Sequence, residues 1–248
     1  MNEDINNYEE NFIKDYENRD FERTMAVYRK KKVLELLNNY TTDYVLEIGC
    51  GMEPLFLVYT RYKKMCVVEA GRKLADHADK LRAGRNNIEI VHGYVEDQVS
   101  YLKRQNYDFI LIEGILHEAV NPEVIMDAVY DLSGDSTKIL VSTPNPQSFH
   151  LTLAYESGIV PRLGMLTERA RRFQRNRVFT MEDLKQFVQE HGFKILKEGS
   201  YFIKPFSHEQ MRQMLDLAII DEKTLEGLYR MVRFMPHLGA ENYVIISK

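Results

Sequence analysis

The stretch YVLEIGCGMEPLF, Tyr44–Phe56, decides how this chain is read. Its first five residues form an apolar run with one carboxylate, suited to a strand, and Gly49 and Gly51 follow at once. Glycine adopts positive φ without steric cost and puts no side chain between the backbone and a ligand. A strand running into such a turn is a common cradle for nucleoside-bearing ligands. The dinucleotide form, G-x-G-x-x-G, needs a third glycine where the next helix packs on the strand. Here Pro54 stands at that position with Glu53 beside it, and a carboxylate next to a pyrophosphate is repelled. The turn therefore argues for a nucleoside ligand and against a dinucleotide.

Outward from the turn, apolar runs and helix-like segments alternate. Strands are expected at 43–48, 64–69, 87–91, 107–112 and 137–143, with helices at 53–62, 71–83, 96–104 and 122–132 between them. Apolar strands without strict alternation are covered on both faces, so this rhythm predicts a parallel doubly wound sheet. Residues 21–39 carry apolar side chains at helical spacing and predict a leading helix. After residue 150 the pattern changes to a proline-punctuated loop, a helical and partly basic stretch over 151–175, and a helix capped by Thr180 and stopped at Gly192. A sixth strand is expected over 193–203. Ser207 and Gln210 form a capping-box pattern, a second helix follows at 222–235, and a last strand closes the chain. The fold class predicted is α/β, Rossmann-like and doubly wound: a mostly parallel seven-stranded sheet whose last strand is antiparallel. Residues 1–40 are read as a helical cap and 41–248 as the main domain, with helical additions at about 147–178 and 207–236.

Composition removes several classes of function. The 248 residues carry a net charge of −4, which gives no overall electrostatic footprint for nucleic acid. No apolar run is long enough to span a bilayer, and the acidic, polar start MNEDINNYEENF is unlike a signal peptide, so a cytoplasmic protein is expected. The two cysteines, Cys50 and Cys66, read as small core residues, and no Cys/His cluster has metal-ligand spacing.

The acid Glu69 ends the second predicted strand, where it can accept hydrogen bonds from both hydroxyls of a ribose. At this point the motifs VLEIGCG, VVEA, VHGYVED and YDFILIEGILHEAVNP resemble, in order and spacing over residues 43–145, those of class I S-adenosylmethionine (SAM)-dependent methyltransferases. The resemblance implies that Glu47, Gly49 and Gly51 surround the methionine part of SAM. It implies Glu69, with Ala70 beside it, at the ribose, Glu96 or Asp97 near the adenine, and Gly114 on the methyl-transfer face. The chain departs from the pattern at Glu53, where a third glycine is common, and at Tyr94, where an acid often follows the strand-three glycine. A cationic sulfonium prefers acidic and aromatic neighbours, so Glu53 suits SAM better than a pyrophosphate.

Methyl transfer needs an aligned acceptor and, for a hydroxyl, a base. His117, just after strand four, and His150, after strand five, are the candidate bases; either can equally be a helix-start histidine satisfied locally. Asn145 and Ser148 share the second loop and are candidates for positioning an acceptor. The C-terminal half resembles bacterial methyltransferases found among surface-polysaccharide, sugar and natural-product genes, through its P-N-x-x-S-x-H loop and K-P-F-x-x-x-Q-M segment. That resemblance implies a small polar acceptor. The arginine run at 169–177, with Arg172 and Arg175, suits a phosphorylated or nucleotide-linked acceptor or is a solvated helix face. Tyr8, Tyr16, Tyr28 and Arg29 are candidates to close over SAM. The expected activity is O-methylation of a small sugar-like or phosphorylated metabolite. An N-methyltransferase, a quinone or aromatic O-methyltransferase and a non-catalytic SAM-binding partner protein are the alternatives. No metal and no nucleic-acid partner is expected.

Overall fold

The structure, a computed structural model, describes residues 9–14, 16, 21–165 and 177–248. Arg172 and Arg175, with Arg169, Arg171 and Tyr8, lie outside the described residues. Seven strands form one sheet: β1 Tyr44–Ile48, β2 Lys64–Glu69, β3 Ile88–His92, β4 Phe109–Glu113, β5 Lys138–Pro144, β6 Lys194–Tyr201 and β7 Glu241–Ser247. Their order is β3-β2-β1-β4-β5-β7-β6. The first five run parallel, and β7 lies antiparallel between β5 and β6.

Both faces of the sheet are covered, and strand alternation assigns residues to each. Val45, Val67, Leu111, Leu140 and Ile245 face a core shared with helix α1 (Glu22–Leu37) and with helices α7 (His208–Asp216) and α8 (Glu222–Arg230). Leu46, Val68, Ile112, Val141 and Ile246 face the other core, filled by α4 (Pro122–Leu132) and α6 (Met181–Glu190). Helix α2 (Arg72–Arg82) joins β2 to β3, α3 (Val99–Leu102) is a single turn before β4, and α5 (Phe149–Glu156) follows β5. Strand β1 has β2 on one side and β4 on the other, so the loops that leave β1 and β4 diverge at a topological switch point, the place where open α/β sheets bind their ligands.

The predicted caps are present. The Thr180 hydroxyl accepts from Asp183 N at 3.1 Å, and the Asp183 carboxylate accepts from Thr180 N at 3.0 Å. Gly192 lies beyond α6 at φ +83°. Ser207 and Gln210 make the same reciprocal box at α7. The helix expected at 53–62 is instead one 3₁₀ turn, Leu55–Leu57. Pro54 is extended at ψ 144°, and the Glu47 carboxylate takes the Leu55 N–H at 2.9 Å. Lys63 and Lys64 then both donate to the Asp43 carbonyl, which starts β2. The helix expected at 96–104 is likewise cut to a 3₁₀ turn, Val95–Gln98, followed by α3. Among the described residues no helix is long and apolar enough to cross a membrane.

Candidate functional site

The loops after β1, β2 and β3 meet at one edge of the sheet, and Glu69 ties the first two together. Gly49 and Gly51 both have positive φ, +70° and +55°. A Cβ at position 49 would run into the Ile115 side chain, and one at 51 would sit 3.0 Å from the Phe12 ring. With the turn in this shape, two successive N–H groups point the same way. Glu69 Oε2 accepts from Cys50 N at 2.9 Å and from Gly51 N at 3.2 Å, while Oε1 accepts from Gly71 N at 3.0 Å. The carboxyl is 6% exposed. Burial pushes its pKa above the ordinary carboxylate value, and the three backbone donors pull it back. Three bonds leave acceptor capacity on the two oxygens. Ala70 is half-buried beside it.

The β3 loop continues this edge. Gly93 N donates to the Glu69 carbonyl at 2.9 Å, which fixes the position of Tyr94, Glu96 and Asp97. Asp97 is exposed, and Glu96 is half-buried. Burial raises the Glu96 pKa, with the Asp97 charge adding to the effect. The N-terminal segment lies against the same loops. Glu9 Oε1 accepts from Leu74 N at 3.1 Å, Phe12 packs on Gly51, and the Tyr16 hydroxyl donates to Glu53. Tyr28 is instead a core residue, 4.7 Å from the Phe202 ring by centroid, and Arg29 is paired with Glu22 and Glu241.

The Glu47 side chain points toward α1. Both its oxygens accept from Leu55 N, at 3.1 and 2.9 Å, and Lys30 Nζ lies 3.2 Å from Oε1. Lys30 also approaches Glu113 Oε2 at 3.4 Å. Burial raises the Glu47 pKa and opposes charge on Lys30, while Lys30 lowers the first and the two carboxylates raise the second. Sequence reading passed over Lys30 and Glu113. The signal was present for Lys30, since it precedes Val33 and Leu37 by three and seven residues on the apolar stripe of α1.

Beyond β4, Gly114 has φ +67° and its N–H donates to Ser142 O at 3.0 Å. His117 is 4% exposed, and neither ring nitrogen has a hydrogen-bond partner among the described residues; its Nε2 is 3.3 Å from Glu118 Oε1. In the β5 loop, Asn145 Nδ2 donates to the His237 and Gly239 carbonyls at 2.9 and 2.8 Å, and its Oδ1 accepts from Gln147 N. Asn145 thus pins the chain entering β7 to the end of β5. Ser148 Oγ is 3.0 Å from His150 Nδ1. Burial, then the charges of Lys204 and His208, push the His150 pKa down to about 2. Lys204 is 3% exposed with Nζ 2.8 Å from His208 Nδ1, and His208 Nε2 is 3.2 Å from Glu22. The loops after β1, β2 and β3 and the two histidine loops after β4 and β5 therefore share one edge, with a buried charged layer from α1 beneath them. Among the described residues no group of three or more His, Cys, Asp or Glu could hold a metal ion.

A family model described as a methyltransferase domain matches residues 19–198. No curated protein matches the chain. Among solved structures, the fold is similar to that of the plantazolicin methyltransferase BamL, in complex with a triazolic desmethylPZN analog and S-adenosylhomocysteine (SAH). The identity is 17%, the TM-score 0.59, and the match covers 100% of this chain and 99% of that one. It is also similar to a SAM-dependent methyltransferase, possible histamine N-methyltransferase, from Thermotoga maritima (18% identity, TM-score 0.59, covering 92% and 94%). The [4+2]-cyclase SpnF has a similar fold as well (13% identity, TM-score 0.54, covering 88% and 80%). At these identities the likeness is one of fold.

Proposed function

The chain belongs to the methyltransferase-domain family, a class of SAM-dependent enzymes, and from that premise we propose that it methylates a hydroxyl of a small polar metabolite. The observation that carries the reading is the closure of the glycine turn on Glu69 through Cys50 N, Gly51 N and Gly71 N. It leaves a glycine ledge at Gly49 and Gly51, flanked by the Ile115 side chain and the Phe12 ring, beside a buried carboxylate. On this reading the ledge receives the methionine part of SAM and Glu69, next to Ala70, receives the ribose. Glu96 and Asp97 lie toward the adenine, and Gly114 lines the methyl-transfer face. Glu47 acts from beneath by holding the turn through Leu55 N. Two carboxylates, Glu47 and Glu113, share the single ammonium of Lys30, and the remaining negative charge suits a sulfonium. When bound, SAM supplies an electrophilic methyl group on a good leaving group.

The acceptor is proposed to be a sugar, a nucleotide-linked sugar or another phosphorylated metabolite of surface-polysaccharide or natural-product biosynthesis, bound beneath the segments 147–178 and 207–236. Of the two histidines, His117 has no hydrogen bond to either ring nitrogen among the described residues, with the Glu118 carboxylate 3.3 Å from Nε2, and is the better base. His150 is held neutral, and its low basicity suits orienting an acceptor with Ser148 more than removing a proton. That same low basicity favours a second reading, an amine acceptor, because an amine needs no strong base. The test is SAH release from SAM with separate pools of sugar nucleotides, phosphorylated alcohols and small amines. Turnover with a hydroxyl pool, lost in His117→Ala, supports the first reading. Turnover with amines alone, unaffected by His117→Ala, supports the second.

A further inference from the structure

Glu113 ends β4 one residue before Gly114, and its two oxygens are unequally served. Its side chain is 8% exposed. Oε2 faces Lys30 at 3.4 Å, while Oε1 is buried and has no hydrogen-bond partner among the described residues. Ser142 is the registered neighbour of Glu113 across β4 and β5, so the two side chains leave the same face of the sheet. Ser142 is 2% exposed, and its Oγ also lacks a partner among the described residues. Lys30 cannot be drawn wholly to Glu113, because it is shared with Glu47. A buried acceptor without a donor is costly, and such groups in native folds call for a specific partner. A ligand bearing an N–H or O–H at this edge would supply it.

We propose that Glu113 Oε1, assisted by Ser142 Oγ, binds and orients the N–H or O–H of the methyl acceptor. The proposal rests on the placement of SAM given under Proposed function. The acceptor class is then an alcohol or a primary or secondary amine, and a group with no proton to give, such as a thioether, is excluded. In the balanced step a bond forms between the acceptor oxygen or nitrogen and the methyl carbon. The carbon–sulfur bond breaks with its electron pair on sulfur, giving neutral SAH. The acceptor proton leaves to the base named above, His117 for a hydroxyl or water for an amine, while Glu113 Oε1 holds the acceptor in line.

The test uses sinefungin, a SAM analogue with a carbon-bound ammonium in place of the methylsulfonium, so that a donor group sits where the methyl would be. Calorimetric titration compares it with SAH on the wild-type chain, Glu113→Gln and Ser142→Ala. A charge-assisted bond to Glu113 makes sinefungin bind about tenfold or more tighter than SAH in the wild type. In Glu113→Gln the SAH affinity stays within about twofold and the preference for sinefungin disappears; Ser142→Ala reduces it in part. A wild-type preference near one, or a preference that survives Glu113→Gln, overturns the proposal. If Glu113→Gln does not fold, the wild-type ratio and Ser142→Ala still decide. Failure of the wild type to bind SAH at all overturns the placement of SAM itself, and is thereby told apart from failure at Glu113.

Discussion

At the scale of single residues, Glu69 and His150 make opposite use of burial. The Glu69 carboxylate is buried among donors and organises a turn, so its removal leaves three N–H groups without their acceptor. Glu69→Ala is expected to weaken SAH binding by about 30-fold, the equivalent of about 2 kcal/mol for lost buried hydrogen bonds, as read by calorimetry. Gly51→Ala places a side chain at φ +55° and against Phe12. It should lower stability by about 1–2 kcal/mol in urea unfolding, with weaker SAH binding. His150 is half-buried beside Lys204 and His208, and its folded pKa, about 2, lies below the ordinary histidine value of about 6.5. The unfolded state therefore binds more protons between those values. The contribution of His150 to stability is complete above about pH 6.5 and is lost progressively as pH falls toward the folded pKa. Replacing it with Asn should flatten the fall in urea-derived stability between about pH 6.5 and 4, and an unchanged acid slope would contradict the burial argument. The place of Glu69 at a strand end beside the glycine turn was legible as a local pattern, but its bonds to Cys50, Gly51 and Gly71 N were not, because they depend on how the turn folds back. The environment of His150 was not, because Lys204 and His208 approach it from a segment distant in the chain.

At the scale of elements, the capped helices and the strands were legible because their signals lie within a few residues of one another. Thr180 with Asp183 and Ser207 with Gln210 form their reciprocal bonds as the spacing requires. The segment 53–62 was misread because its apolar residues suit a helix, while the decisive contact, Glu47 to Leu55 N, comes from β1. Helix α1 carries a comparable lesson. Its apolar stripe was legible, yet the same stripe carries Lys30 toward Glu47 and Glu113. Removing one partner of a buried charge group leaves the others uncompensated. Lys30→Met should destabilise the fold by about 3–5 kcal/mol, seen as a lower urea midpoint with an unchanged slope. Adding Glu113→Gln to Lys30→Met should restore part of that loss; strict additivity of the two substitutions would mean that the pair does not interact.

At the scale of the whole molecule, the order β3-β2-β1-β4-β5-β7-β6 puts the glycine turn and the ends of β4 and β5 at one edge, where the proposed cofactor and acceptor chemistry would meet. The parallel half was foreseeable from strand and helix alternation alone. The position of β7 between β5 and β6 was not, since it depends on pairings such as Ser142 with Tyr243 and Ser200 with Asn242. Asn145 illustrates the consequence. Read as an acceptor contact, it is engaged with the His237 and Gly239 carbonyls and so serves the antiparallel insertion of β7. The acceptor itself is illegible at every scale of sequence, because the groups that would select it converge from four strands and α1.

The turn of Gly49 and Gly51, closed by Glu69, is proposed to hold SAM and not a dinucleotide. The most direct measurement is calorimetric titration of the dialysed protein with SAH, with NADH titrated in parallel. Binding of SAH in the micromolar range with no heat from NADH is the predicted result. Binding of NADH alone would contradict the reading of Glu53 and Pro54, and binding of neither would leave the glycine turn a structural feature without a nucleoside to hold.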